Sequence, residues 1–252
     1  MPGRSVEQEN ALAPTGPSVV VDGGPASAPL NTRLEVELAF CIAGALRVPA
    51  HATQLWLLDS IVVGIERPGG PAVPAVSDSA GSSGPPAHIE RSTLLGSGRF
   101  LKLDLASESI FTGPVNVDQR QAGCVRFSFV PAGSQTPQQY RCQPALEIAQ
   151  QKDQRRADAA KTGIPLPFGW EAALEAAVQQ WLLPSFETVD YGRPDFAQLR
   201  RTGPIQIRTG AADGSEMGVF CVLKQPQRES NLRLRLDEYL PVGLEAGLIY
   251  VT

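Results

Sequence analysis

The sequence predicts a mainly β protein: a short right-handed parallel β-helix, or solenoid, that carries a C-terminal α/β cap. Three observations favour this fold class. A short strand-like segment recurs between residues 34 and 130, and its apolar and small positions return about every 18 residues. Glycine and proline supply 24 and 22 of the 252 residues, which favours turns over long helices.

The recurring segment can be aligned on one small residue in each copy. These anchor residues are Cys41, Ser60, Ser92, Ser109 and Ser128. An apolar residue stands three positions before each anchor: Leu38, Leu57, Ile89, Ala106 and Val125. A second apolar file stands two positions after each anchor: Ala43, Val62, Leu94, Phe111 and Val130. A single coil of this kind cannot bury its apolar side alone, so we expect the copies to stack with both files inside.

An antiparallel β-sandwich is the alternative fold, because it also contains many short strands. Its strands would be separated by turn signals about every 8–12 residues. The observed spacing of about 18 residues between copies suits one coil made of two or three strands. It therefore favours the β-helix.

The sequence divides into three regions. Residues 1–31 are rich in Pro, Gly, Ala and Ser without a sustained period, which predicts a disordered tail. Residues 32–143 form the predicted β-helix, with a flexible insertion at 67–87 that has a similar composition. Residues 144–252 form a helical or α+β region, which we expect to close the open end of the solenoid or to dock it to a partner.

Four elements are predicted in the C-terminal region. The segment "GWEAALEAAVQQWLLPSF" predicts a helix with four apolar residues on one face: Leu174, Val178, Trp181 and Leu182. "RPDFAQLRRTG" predicts a short helix, and "AGLIYVT" predicts a final strand. "QPQRESNLRLRLDEYLPVG" predicts a helix whose apolar stripe includes Leu232, Leu236 and Tyr239, and these three residues are the candidate partner-binding surface.

Composition disfavours several classes of protein. The net charge is −4 and no block of Lys or Arg forms a stripe, which disfavours nucleic-acid binding. No apolar run reaches 18 residues and the N-terminus lacks a secretory signal, so we expect a cytoplasmic protein without membrane insertion. Cys124 and Cys142 flank a loop and could form a disulfide, but reduced thiols are expected in the cytoplasm. No cofactor or metal motif is recognised.

Two long segments carry a resemblance to a known family. They are "IFTGPVNVDQRQAGCVRFSFVPAGSQTPQQYRCQP" and "TGAADGSEMGVFCVLKQPQRESNLRLRLDEYLPVGLEAGLIYVT". They resemble the C-terminal portion of an uncharacterised bacterial family associated with phage tail-like particles and contractile injection systems, and the likeness covers about residues 34–252. Members of that family carry longer N-terminal regions. The resemblance implies a part in a protein assembly and brings no catalytic residues with it.

The candidate chemistry lies one position before three of the anchors. Stacked coils would place Asp59, Arg91 and Glu108 side by side, and such a row could serve acid–base chemistry on a polysaccharide. A ladder of opposite charges that stabilises neighbouring strands is the alternative interpretation. Phe40 and Phe127 fall in the same column and favour that alternative.

These observations predict a non-enzymatic structural or docking component that binds other protein subunits of a larger assembly. The alternative is a carbohydrate-binding or polysaccharide-cleaving β-helix protein. Trp56 is relevant to the alternative, because an exposed tryptophan on a flat sheet can stack on a sugar ring.

Overall fold

The computed structural model of the protein describes residues 16–64, 73–241 and 244, and it is mainly β with additional helices. The first sheet contains β1 (Val19–Val20), β4 (Leu46–Arg47), β7 (Val76–Ser77), β10 (Gly98–Phe100) and β13 (Val115–Val117). The second sheet contains β2 (Glu35–Ala39), β5 (Gln54–Leu58), β8 (Ala87–Glu90), β11 (Leu103–Ser107), β14 (Cys124–Arg126) and β15 (Gln138–Tyr140). The third sheet contains β3 (Ile42–Ala43), β6 (Ile61–Val63), β9 (Thr93–Leu95) and β12 (Ile110–Phe111).

Every pairing between the described strands is parallel. From β2 to β13 the chain visits the second, third and first sheets in turn, so that β2 pairs with β5, β5 with β8 and β8 with β11. Parallel neighbours cannot be joined by tight hairpins, so each connection passes through the other two sheets. The alternative of an antiparallel sandwich is therefore wrong.

The strand register places the predicted apolar files in line. Leu38 pairs with Leu57, Leu57 with Ile89, and Ile89 with Ala106, which in turn pairs with Val125. The second file is also in register along the third sheet, from Ala43 through Val62 and Leu94 to Phe111. Members of both files share one buried core with Leu55, Phe100 and Val115. The predicted stacking of these files is confirmed.

The anchor residues form a continuous ladder of hydrogen bonds at the corner between the second and third sheets. The backbone N–H of Ser60 donates to Ser92 Oγ (3.2 Å), and the N–H of Ser92 donates to Ser109 Oγ (3.2 Å). Ser109 repeats the contact with Ser128 Oγ (3.1 Å), while Cys41 N–H donates to Ser60 Oγ (3.0 Å) at the other end. Each serine hydroxyl donates in turn to the carbonyl two residues before it, at 2.7–2.8 Å. The four serines are fully buried, and the ladder satisfies amides that the strand ladders leave unpaired.

A sixth copy of the pattern follows the five copies whose anchors run from Cys41 to Ser128. Gln139 pairs with Val125, and Cys142 stands at the anchor position three residues later. Its thiol approaches the carbonyl of Tyr140 (3.5 Å), as the serine hydroxyls do in their own copies. Cysteine thus stands at both ends of the ladder, at Cys41 and at Cys142.

The C-terminal region contains four α-helices, within the described residues, and a short 3₁₀ turn. They are α1 (Ala145–Thr162), α2 (Trp170–Trp181), α3 (Ile205–Arg208) and α4 (Gln225–Tyr239), and the 3₁₀ turn is Cys221–Leu223. Leu174, Val178 and Leu182 are buried against Ile110 and Phe129, which project from the outer side of the third sheet. The expectation that this region closes an end of the stack or docks it to a partner stays a prediction; the buried contacts observed are with Ile110 and Phe129.

Several local predictions differ from the structure. β1 lies inside the predicted tail, and residues 1–15 lie outside the described residues. The predicted flexible insertion contains β7, which pairs with β4 and β10, while residues 65–72 are not described. The Pro- and Gly-rich composition of this segment did not predict a strand, because β7 is paired by β4 and β10, which lie elsewhere in the chain. The segment "RPDFAQLRRTG" forms turns and isolated bridges instead of a helix, and the final strand "AGLIYVT" lies outside the described residues.

The serine ladder predicts a measurable cost for losing one hydroxyl. Ser92→Ala removes the acceptor of the Ser60 N–H and leaves that buried amide without a partner, so the free energy of unfolding should fall by about 1–3 kcal/mol. Denaturant unfolding followed by circular dichroism measures the change. Ser79→Ala is the matched control, since Ser79 is exposed. Equal stability of the two variants would contradict the role given to the ladder.

Candidate functional site

The residues just before the anchors occupy a strained backbone corner. All six have positive φ angles between 43° and 54°, although none is glycine: Phe40, Asp59, Arg91, Glu108, Phe127 and Arg141. L-residues adopt this left-handed conformation infrequently, and a row of six shows that the stack imposes it. We call this row the corner column. It carries the three residues that the sequence singled out as a candidate catalytic row.

Asp59 and Arg91 form a bidentate ion pair. Arg91 Nε donates to Asp59 Oδ1 (2.7 Å) and Arg91 Nη2 donates to Asp59 Oδ2 (2.9 Å), while Arg91 Nη1 reaches Glu90 Oε2 (3.0 Å). The hydrogen bonds that Arg91 donates to the Asp59 carboxylate are the main reason why the pKa of Arg91 is raised, so the guanidinium stays charged. Asp59 is 6% exposed, so its carboxylate is directed to Arg91 rather than to solvent.

Glu108 is held by a loop of the C-terminal region. The backbone N–H of Ala212 donates to Glu108 Oε1 (3.2 Å), and the Cys221 thiol approaches Glu108 Oε2 (3.7 Å). Two further contacts fix the loop to the stack: Gly218 N–H donates to the Glu108 carbonyl (2.7 Å), and Val219 N–H donates to Thr93 Oγ1 (3.1 Å). The column therefore joins Asp59 to Arg91 and Glu108 to the loop, so both carboxylates are engaged in contacts within the chain.

Gly218 is required for this docking. Its φ is +90°, and a Cβ at this position would lie 2.7 Å from Thr93 Oγ1 and 2.9 Å from a methyl carbon of Ile110. Any other residue would be both strained and too close to the third sheet. In the sequence this loop is marked by a cluster of glycines between residues 210 and 218, a pattern that does not by itself predict docking.

The same loop contains a buried thiol. Burial raises the pKa of Cys221 to about 11, and the Ser215 hydroxyl lies 3.1 Å from its sulfur. At neutral pH the group is a thiol, so it lacks the thiolate character of a nucleophile. Nearby, hydrogen bonds from Lys224 and Ser215 lower the pKa of Asp213 to about 2. These contacts stabilise the loop and do not create a reactive centre.

Glu216 is the most perturbed carboxyl group of the loop. It is 6% exposed and its Oε1 has no hydrogen-bond partner. Burial raises the pKa of Glu216 to about 7, against the opposing charges of Arg208 and Arg201. A neutral carboxyl near physiological pH is a property of catalytic acids, but this group is buried and its nearest charges are those of Arg208 and Arg201.

The outer side of the second sheet carries a connected row of aromatic and charged side chains. The rings of Trp56 and His88 lie 4.4 Å apart, centroid to centroid, and His88 Nε2 lies 2.7 Å from Glu90 Oε1. Glu90 continues to Arg91, and Arg91 to Asp59. Trp56 is half-buried, so one face of its ring packs on His88 and the indole still reaches the surface.

The candidate partner-binding residues lie on α4. Leu232 is 46% exposed and Tyr239 is 78% exposed, while Leu236 is half-buried. Leu234, on the other side of the helix, is 60% exposed. α4 therefore presents apolar side chains on more than one face to solvent.

Two grooves run between the third sheet and the C-terminal region. The larger, about 650 Å³, lies beside the turns at Gly64, Gly96 and Gly113 and is bordered by Leu183 and Phe186. The smaller, about 350 Å³, is lined by residues of the third sheet and of the 3₁₀ turn, among them Ile42 and Val222. Neither groove is lined by a pair of free carboxylates, among the described residues that border them.

Metal and thiol chemistry have little support in the geometry. Within the described ranges, no three His, Cys, Asp or Glu side chains lie close enough together to hold a metal ion. His51 is bonded to the Leu30 carbonyl (2.7 Å) and is far along the chain from His88. All four cysteines are described and all are free, so Cys124 and Cys142 are not bridged.

A comparison of the chain with protein families, curated proteins and solved structures finds no match. Among the described helices, none combines the length and apolar character needed to cross a membrane.

The buried carboxyl of Glu216 predicts a pH dependence of stability. An acid whose pKa is raised on folding favours the folded state when protonated, so the wild-type protein should lose stability as the pH rises from about 4.5 to about 7. The loss should be on the order of 2–3 kcal/mol. Glu216→Gln should remain neutral and abolish this slope, as measured by denaturant unfolding at pH 5 and pH 8. Glu238→Gln, an exposed change, is the control, and an unchanged slope in Glu216→Gln would contradict the assignment.

Proposed function

We propose that the three parallel sheets are the faces of one right-handed β-helix, in which each full coil contributes one strand to each sheet. Support comes from the order in which the chain visits the sheets and from the pairing of each strand with one a coil away. Crossovers between parallel strands of one sheet are right-handed in nearly all proteins, which favours this hand.

We further propose that the protein is a non-enzymatic structural or docking component whose partners are other protein subunits. The observation that carries this proposal is the engagement of the corner carboxylates. Glycoside cleavage needs two carboxyl groups that face a substrate between them. Asp59 is instead paired with Arg91, and Glu108 accepts from the loop at Ala212. Such contacts stabilise a stack rather than serve a reaction.

Exposed apolar side chains provide the second support. Leu232 and Tyr239, which share one face of α4, are 46% and 78% exposed, and Phe40 at the first described corner is 79% exposed. Grouped exposed apolar residues mark interaction surfaces in soluble proteins. A stiff stack that presents α4 on its side would suit attachment to a larger particle.

The assembly we favour is a phage tail-like particle or contractile injection system. This part of the proposal is supported by the resemblance of residues 34–252 to the bacterial family described above. Co-expression with neighbouring tube, sheath or baseplate genes tests it, and co-elution of the chain with one of those subunits is the expected result. If the chain elutes alone whichever of these subunits is co-expressed with it, that result would contradict the proposal.

A second candidate function is carbohydrate binding on the outer side of the second sheet. The half-exposed Trp56 ring beside His88 favours it, because sugar rings stack on tryptophan and take hydrogen bonds from neighbouring polar groups. The buried and paired carboxylates argue for binding rather than cleavage in this case.

Site-directed crosslinking tests the docking surface. A photoreactive phenylalanine analogue at Tyr239 should give one or a few defined protein adducts in cells of the source organism, because that ring is exposed on α4. The same analogue at Gln154, exposed on the polar α1, is the matched control. Adding Leu232→Asp should reduce the Tyr239 adducts several-fold. Indistinguishable adduct patterns at positions 239 and 154 would count against α4 as a partner surface.

Fluorescence titration separates the carbohydrate alternative. If oligosaccharides bind at Trp56, tryptophan emission should change in a saturable way, and Trp56→Ala should remove that change. Trp181→Ala is the control, since Trp181 is 45% exposed on α2, away from the second sheet. The docking proposal predicts no saturable signal in the wild-type protein, so a signal lost only in Trp56→Ala would favour the second candidate.

A further inference from the structure

The first coil leaves an unpaired strand edge. Among the described residues, β2 pairs only with β5 and β3 pairs only with β6, so both strands end their sheets. The N–H of Phe40 donates to Leu58 on β5, and backbone direction alternates along a strand. The N–H groups of Glu35, Glu37 and Ala39 therefore point away from β5. A row of free N–H groups of this kind is a template for another strand.

The interior file is incompletely covered at the same end. Val36 and Leu38 pack against the buried core but remain half-buried, whereas Leu55 and Leu57 in the next coil are fully buried. The opposite end of the file terminates in the exposed polar residue Gln139. Only the β2 end therefore offers both a free edge and apolar side chains that a further coil would cover, within the described part of the stack.

The outward side chains of β2 are acidic. Glu35 and Glu37 are exposed and alternate with Val36 and Leu38. A strand added beside β2 would place its own outward residues next to these two carboxylates. Opposite charges at paired positions stabilise a sheet, and like charges destabilise it.

A groove continues from this edge around the corner. The smaller groove, about 350 Å³, is lined by Phe40 and Ile42 on one side and by Val222 and Leu223 on the other. Ile42 is 51% exposed, whereas Ile61, its partner in the next coil, is buried against Phe196. The groove is a site for an apolar side chain that follows the corner.

We propose that the β2 edge binds an extended segment of a partner subunit in which apolar and basic residues alternate. The apolar residues lie over Val36 and Leu38, the basic residues pair with Glu35 and Glu37, and an apolar residue beyond the corner enters the groove at Ile42. The binding is β-strand addition, with main-chain hydrogen bonds for affinity and alternate side chains for specificity. This proposal rests on the docking function and names the chemistry of one partner.

Charge argues against two other occupants. If two copies paired antiparallel through β2 about Glu37, that carboxylate would face its own counterpart, which is destabilising. Residues 1–15 of the chain carry Glu7 and Glu9 and a single basic residue, Arg4, so they lack the alternation that would complement Glu35 and Glu37.

Synthetic peptides test the proposal on the full chain. A fluorescent nine-residue peptide alternating Leu and Lys should bind with an anisotropy change, and replacing its Lys with Glu should weaken binding about tenfold or more. A permuted peptide with the same composition and grouped residues should not bind. Glu35→Lys combined with Glu37→Lys should invert the preference between the Lys and Glu peptides. Equal binding of the alternating and permuted peptides would overturn the proposal.

Ala39→Pro tests the backbone edge. Proline removes the N–H that faces away from β5 and should abolish peptide binding, while Ala39→Ser should bind as the wild type does. If Ala39→Pro fails to fold, a peptide that is N-methylated on alternate residues carries the same test.

Two outcomes would assign the edge to another occupant and overturn the proposal. One is binding that appears only after deletion of residues 2–15. The other is self-association of the chain, by sedimentation, that Ala39→Pro removes. Crosslinking at Tyr239 is an independent measurement of the docking function. Defined adducts at Tyr239 without peptide binding would reject this partner chemistry but would still support the docking function.

Discussion

The structure depends on satisfying the backbone where each copy of the repeat bends from the second sheet to the third. At that corner the chain takes a left-handed conformation, and the next amide turns inward, where no strand partner is in line with it. A buried amide without a partner costs roughly as much as a lost hydrogen bond and its desolvation. The serine hydroxyl of the adjacent coil accepts from this amide, and the same hydroxyl donates to a carbonyl of its own coil. Each coil thus completes its neighbour, which explains why a small hydroxyl residue recurs at a fully buried position.

The corner also determines what lies on the surface. Because the anchor side chain points inward, the preceding residue points out, and stacking brings all such residues into one column. Asp59 and Arg91 become close neighbours although 32 residues separate them in the chain. Glu108 meets a loop more than 100 residues later. The column is therefore a consequence of the backbone geometry, and its charges stabilise adjacent coils and fix the C-terminal region against the third sheet.

The two ends of the stack differ in chemistry. At one end the apolar file stops in Val36 and Leu38, beside the exposed Phe40 and Ile42; at the other it stops in Gln139. The C-terminal region buries Leu174 and Val178 against Ile110 and Phe129. An apolar strand edge combined with acidic outward residues is a selective surface, since it accepts a complementary strand and repels a copy of itself.

The sequence by itself determined the repeat: the spacing of Cys41, Ser60, Ser92, Ser109 and Ser128, the apolar files beside them, and the column of Asp59, Arg91 and Glu108. These features are periodic. Equivalent positions in the repeat lie in the same environment and select similar residues, so the period is visible in the sequence. The helix α2 was predictable for the same reason, and Leu174, Val178 and Leu182 of its apolar face are buried, whereas Trp181 is 45% exposed. Only the tertiary structure decided the rest. It made a strand of Val76–Ser77 inside a Pro- and Gly-rich segment, and it turned the predicted helix after Arg193 into bridges. It also engaged Glu108 with Ala212 and left Leu232 and Tyr239 exposed. These outcomes depend on single contacts between segments distant in the chain, and such contacts leave no period for the sequence to show.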